Sequence, residues 1–204
     1  MNKQELQPVF DHFENNKDVE GDIAMFGVSK YDTAIVVPWA KQHGKKVYMF
    51  DSFEGLPEPD DDDIEPEFYD GMNPKYKPGF KLVYHKGEQT NPLEGIQSVL
   101  GGYDNYETIK GFYEDSIPKQ EEKEKHYKLK FCTVLIDVDY TSSLNTCLDY
   151  VWERLQPKGM LCTHEVMQKN IVRTFNERGI LLKGQDKPED VPFNVNCAGY
   201  TIKE

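Results

Sequence analysis

The sequence lacks an apolar run long enough to span a bilayer and shows no secretory-leader pattern, so no membrane partner is expected. It also lacks a cationic surplus. Against 36 Asp and Glu stand 24 Lys and Arg, a net charge of −12 with no basic stripe to offset it, which argues against a nucleic-acid footprint. Cysteine is scarce. Cys132, Cys147, Cys162 and Cys197 have no metal-finger spacing and fall mostly inside expected elements, as reduced, buried thiols of a cytoplasmic protein would. The glycine-rich GxGxxG turn is absent, and His164-Glu165 is no zinc-protease signature because position 168 is Gln. No repeat or linker divides the 204 residues, a length that suits one domain with a sizeable core.

What is present is organised around Lys130 to Glu165. Phe131 to Ile136 is a continuous apolar run rich in β-branched residues and ending at Asp137, the pattern of a strand buried on both faces. Thr141 or Ser142 is expected to cap a helix carrying Leu144, Leu148, Val151, Trp152 and Leu155 at helical spacing. Pro157-Lys158-Gly159 stops that helix, and Met160 to Thr163 is a second strand ending at His164-Glu165. Strand, helix, strand at this length is a right-handed βαβ unit with parallel strands. Asp137 and the 164–165 pair therefore reach the same edge of the sheet, where open α/β sheets bind ligands.

The rest of the chain repeats the theme. Residues 1–20 open with a helix whose face carries Leu6, Val9, Phe10 and Phe13. Asp22 to Val28 reads as the first core strand, Ser29 to Asp32 as a turn, and Thr33 to His43 as a helix stopped by Gly44. Lys46 to Asp51 is a second strand ending in an acid, the outline of a nucleotide-binding half in which that acid takes ribose hydroxyls. Residues 54–90 are irregular. They carry several prolines, an acidic run at Asp60 to Asp63 read as solvated, and Tyr69, Tyr76, Phe80, Tyr84 and His85; a covering loop over an acceptor site is expected. A short helix over Leu93 to Leu100, a strand over Tyr106 to Phe112 and a charged, exposed helix within 119–130 follow. After the central unit come a helix from Asn170 to Arg178 and a closing antiparallel pair formed by Val191 to Val195 and Ala198 to Ile202.

Four blocks then carry a family resemblance: Gly21-Asp22-Ile23 with Gly27-Val28, Asp51-Ser52-Phe53-Glu54-Gly55-Leu56-Pro57, Lys110 through Pro118 (KGFYEDSIP), and the central unit with Pro157-Lys158-Gly159. In order and spacing, over residues 21 to about 180, they resemble the macrocin-type O-methyltransferases. The resemblance implies a Rossmann-like class I methyltransferase fold, mostly parallel with a closing antiparallel strand. It implies S-adenosylmethionine and a divalent cation (magnesium, manganese or a softer metal) as cofactors, and a small hydroxylated, sugar-like or natural-product acceptor. Self-association into a homo-oligomer stays open.

Carried onto this sequence, the resemblance assigns Gly27, Val28 and Ser29 to the methionine part of the cofactor, and Asp51 with Ser52 to its ribose. It assigns Asp115 and Ser116 to the adenine edge. Asp137, His164 and Glu165 would hold the cation, since the interval 164 − 137 = 27 matches the family's spacing between its first metal aspartate and its acidic pair. Asp137 and Asp139 are the candidate bases. Two departures stand out. Met25-Phe26 and Tyr31-Asp32 replace an acid and a glycine pair of the family's first turn, and His164 replaces a carboxylate. Two other readings compete: a non-catalytic binding protein of the same fold, suggested by the altered turn, and a glycosyltransferase using Asp137-Val138-Asp139 as a DxD motif. The second leaves the DSFEGLP block without a role.

Overall fold

The computed structural model describes residues 1–64, 84–183 and 198–204. The chain alternates helices and strands as α1 (Lys3–Asn15), β1 (Asp22–Phe26), α2 (Lys30–Gln42), β2 (Val47–Asp51), α3 (Asp61–Ile64), α4 (Leu93–Val99) and β3 (Tyr106–Lys110). It continues through α5 (Tyr113–Lys123), β4 (Phe131–Ile136), α6 (Thr141–Val151), β5 (Leu155–Thr163), α7 (Lys169–Glu177) and β6 (Gly199–Ile202). The strands form one sheet ordered β3-β2-β1-β4-β5-β6, parallel except for β6, which runs antiparallel to β5. This is the α/β class and mixed sheet expected from the sequence.

Alternation along the strands divides the core into two layers. Ala24, Phe26, Tyr48, Phe50, Val134 and Ile136 face α5, α6 and α7, whose Ile117, Leu144, Leu148, Ile171 and Phe175 complete that layer. Ile23, Met25, Val47, Met49 and Leu135 face the other way, onto Leu6 and Val9 of α1, Val36, Val37 and Ala40 of α2, and Ile96 of α4. Every residue of β4 is buried, which follows from its place at the centre with helices on both faces. No helix among the described residues is long and apolar enough to cross a membrane.

Several boundaries differ from the sequence reading, each for a physical reason. Helix α6 ends at Val151, and Leu155 belongs to β5, where it pairs with Phe131 before the register shifts to Thr133 opposite Met160. Pro157-Lys158-Gly159 is thus a bulge inside a strand rather than a helix stop. Lys158 takes a left-handed φ of 65°, its N–H donates to Lys203 O, and Gly159 O accepts from Lys203 N. Ser29 to Asp32 is the start of α2, with Ser29 as its N-cap; the Ser29 hydroxyl accepts from Asp32 N and donates to Asp32 Oδ2.

The α6 cap also comes from elsewhere. Neither Thr141 nor Ser142 caps the helix; the N-cap position is Tyr140, and its side chain makes no capping bond. Instead Asp63, a member of the acidic run read as solvated, is buried and accepts from Thr141 N (2.7 Å), Thr141 Oγ1 (2.6 Å) and Ser142 Oγ (2.8 Å). The charged stretch after 119 is likewise not wholly exposed. Glu124 is buried and accepts from Arg154 Nε, Tyr150 Oη and Gln120 Nε2, tying the end of α5 to α6 and its exit. Strand β6 finds its partner in β5; residues 191–195 lie outside the described residues.

The base of the irregular 54–90 segment is closed by backbone bonds, Leu56 N to Glu88 O and Gly87 N to Leu56 O, both 2.9 Å. Gly55 allows this approach: its φ is 92°, and a Cβ there would lie 2.5 Å from two carbonyl oxygens of Gly87 and Glu88. Tyr69, Tyr76 and Phe80, expected in the covering loop, lie outside the described residues.

Candidate functional site

The sheet changes winding direction between β1 and β4, and a cleft of about 240 Å³ opens at their carboxyl ends. The turn after β1 forms its floor. Gly27 has a φ of 76°, and a Cβ there would overlap the carbonyl oxygen of Asp137, so only glycine lets β1 and β4 close at this point. Asp137 N in turn donates to Phe26 O at 2.8 Å.

Asp51, at the end of β2, accepts from Val28 N through Oδ2 (2.7 Å) and from Phe53 N through Oδ1 (2.6 Å). Burial raises its pKa above the ordinary carboxylate value, against the opposing pull of these two backbone bonds. The bonds fix the carboxylate at the rim while each oxygen keeps a lone pair for a further donor. Ser52 donates to Gly55 O at 2.7 Å and holds the turn that follows. Gly27, Val28, Ser29, Asp51 and Ser52 all line the cleft. Asp115 and Ser116 do not. Asp115 is exposed, and the Ser116 hydroxyl turns to Gly111 O; the cleft wall on that side is Phe112, Tyr113 and Glu114.

The opposite wall gathers the charged groups. Asp137, His164 and Glu165 each offer a ligand atom, and these atoms lie within 4.8 Å of one another. Adjacent residues on a strand point to opposite faces, so the pair at 164–165 converges only because Glu165 has left the strand with a left-handed φ of 59°. Asp139 is bent the same way, at φ 61°. His164 Nδ1 stands 3.1 Å from Asp137 Oδ1 and 2.8 Å from Glu165 Oε1. Two ligands held at right angles about 2.1 Å from one ion are about 3.0 Å apart, so these donors fit neighbouring positions of an octahedral shell. The side chains of Asp137, His164 and Glu165 are 22%, 18% and 15% exposed.

The electrostatics divide the two aspartates. Burial pushes the Asp137 carboxyl up, but His164 and the amino group of Met1 overcome it and hold it well below the usual carboxylate range. Asp139 goes the other way: burial, then the charges of Asp137 and Glu165, raise its pKa well above that range.

Two residues of the site were not identified from sequence. Asp32, at the third position of α2, is buried and lines the cleft; its Oδ1 is 3.1 Å from the Met1 amino group. The Ser29-x-x-Asp32 spacing was its only local signature. Glu5 of α1 is buried and approaches His164 Nε2 at 3.3 Å, a contact between residues 159 apart that no local pattern announces.

Fold and site together define a doubly wound α/β protein with a glycine turn after the first strand, an acid after the second and a cluster of possible ligands across the switch point. The family model described as macrocin-O-methyltransferase (TylF) matches residues 3–180, and the chain belongs to that family. Solved structures agree on the fold. The O-methyltransferase NovP aligns with a TM-score of 0.69 at 14% identity, over 98% of this chain and 79% of that one. CalS11, a calicheamicin methyltransferase, aligns at 0.70 and 13%, over 97% and 77%. An rRNA methylase from Streptococcus thermophilus aligns at 0.54 and 15%, over 100% and 98%. No curated protein matches the sequence.

Proposed function

We propose that this methyltransferase moves the methyl group of S-adenosylmethionine to a hydroxyl of a small, sugar-like acceptor, aided by a divalent cation held by Asp137, His164 and Glu165. The observation that carries the reading is that the Gly27 turn, Asp51 and this three-donor cluster line the same cleft. CalS11, whose fold this chain shares, is a TDP-rhamnose 3'-O-methyltransferase, and the acceptor class is taken from that likeness.

Each group has a task in this reading. Gly27, Val28 and Ser29 present backbone to the methionine part of the cofactor, and Asp51 accepts ribose hydroxyls. A bound divalent cation supplies Lewis acidity toward the acceptor hydroxyl and helps to orient it. Asp139, on the wall of the cleft, takes the hydroxyl proton. As the acceptor oxygen bonds to the methyl carbon, the carbon–sulfur bond breaks and its electron pair stays on sulfur. The sulfonium thereby becomes the neutral thioether S-adenosylhomocysteine, and the proton stays on Asp139.

Calorimetry tests the cofactor half. The protein should bind S-adenosylmethionine and S-adenosylhomocysteine, and Asp51→Ala should lose about 1.5–3 kcal/mol of that affinity, the range for hydrogen bonds to charged groups. No binding by the parent protein, or full affinity in the variant, overturns the assignment of the cleft.

A further inference from the structure

Resting on the metal reading above, we propose that Glu5 is a positioning residue that orients His164 for the cation. A histidine can present either ring nitrogen to a metal. Here the two nitrogens are already divided. Nδ1 faces Asp137 and Glu165 at 3.1 and 2.8 Å, and Nε2 faces Glu5 Oε1 at 3.3 Å.

Glu5 is built to stay there. Its side chain is only 4% exposed, and its other oxygen accepts from Asn2 N at 2.6 Å in the capping box that starts α1. Helix α1 is itself anchored, because Leu6 and Val9 are buried in the core layer beneath it. A carboxylate on the far nitrogen of a ligating imidazole fixes its tautomer and raises its basicity. Donation from Nε2 to Glu5 leaves the Nδ1 lone pair pointing at the cluster.

The experiment is manganese titration by calorimetry, with nitrogen-15 spectra of the His164 ring in the zinc-loaded protein. Four variants are compared: Glu5→Leu, Glu5→Gln, Asn2→Ala and His164→Ala. Glu5→Leu should lower manganese affinity about ten- to a hundredfold and lose the single Nδ1-bound, Nε2-protonated ring signature. Glu5→Gln, which keeps a neutral acceptor, should retain that signature with an intermediate affinity. Asn2→Ala breaks the same helix cap without removing the His164 contact, and should leave both readouts as in the parent.

Parental affinity and ring signature in Glu5→Leu, with affinity lost in His164→Ala, overturn the role of Glu5 alone. Equal losses in Asn2→Ala and Glu5→Leu overturn it too, since they would trace the effect to the helix. A parent that binds no manganese, or a His164→Ala variant that binds it unchanged, overturns the metal reading and this inference with it. Should Glu5→Leu not fold, Glu5→Gln decides: parental affinity in that variant counts against the charge of Glu5.

Discussion

Asp139 is held where a carboxylate is disfavoured, and this makes its effect on stability depend on pH. Its folded-state pKa is raised by burial and by two neighbouring negative charges. A group shifted in that direction stabilises the fold below its unfolded pKa, and the contribution is lost as pH rises through the folded value. In chelator-treated protein, Asp139→Asn should therefore raise the melting temperature more at about pH 8 than at about pH 4. An equal gain at both would show that the carboxyl is not strained by its neighbours. The same substitution removes the proposed base, so turnover should fall while S-adenosylmethionine affinity holds. His164→Asp makes the opposite kind of change. It restores an oxygen-only ligand set, and competition between magnesium and manganese should shift toward magnesium. Unchanged preference would mean that the ring is not a ligand.

At the scale of elements, caps and end contacts come from distant chain. Helix α6 carries Ser143 and the Asp139 turn at its start into the cleft, yet its first N–H group, that of Thr141, relies on Asp63, 78 residues away. We expect Asp63→Ala to cost about 1–2 kcal/mol, the upper range for a lost cap, because Thr141 N loses a buried partner. A urea midpoint reads the stability, and hydrogen exchange should quicken in the first turn of α6 ahead of the rest of the helix. Uniform quickening across the chain would assign the loss to general destabilisation instead. Helix α1 has the complementary arrangement: its cap is local, Asn2 with Glu5, but the capping acid also reaches the site. Sequence spacing could show the first property and not the second.

At the scale of the molecule, the cleft depends on how closely β1 and β4 approach. Gly27 sits at that junction with a left-handed φ and no room for a Cβ against Asp137 O. Gly27→Ala should destabilise by more than about 2 kcal/mol, the left-handed penalty plus the clash. It should also abolish cofactor binding, since the strand ends would be forced apart. A soluble variant with parental melting temperature and affinity would show that the junction is not tight. Surface pairs such as Lys46–Glu107 and Lys130–Glu20 neutralise individual charges, while Asp32, Asp51, Asp137, Asp139 and Glu165 all line the cleft.

The sequence alone determined the class of fold, the parallel pairing of the central βαβ unit and several of the acids that line the cleft. Buried parallel strands need apolar runs, and polar residues end them, so Asp51, Asp137 and the 164–165 pair were legible as strand terminators. The family blocks then suggested the roles proposed for them. Only the tertiary structure decided that Pro157-Lys158-Gly159 bulges within a strand, because that depends on pairing with Lys203 near the other end of the chain. It likewise decided that one acid of a charged run is buried as a cap, that Glu124 is buried against Arg154, and that Glu5 stands behind His164. Periodicity and spacing report what a residue's neighbours along the chain require. Which distant partner satisfies a buried carboxylate is settled by the geometry of packing, and no local pattern contains it.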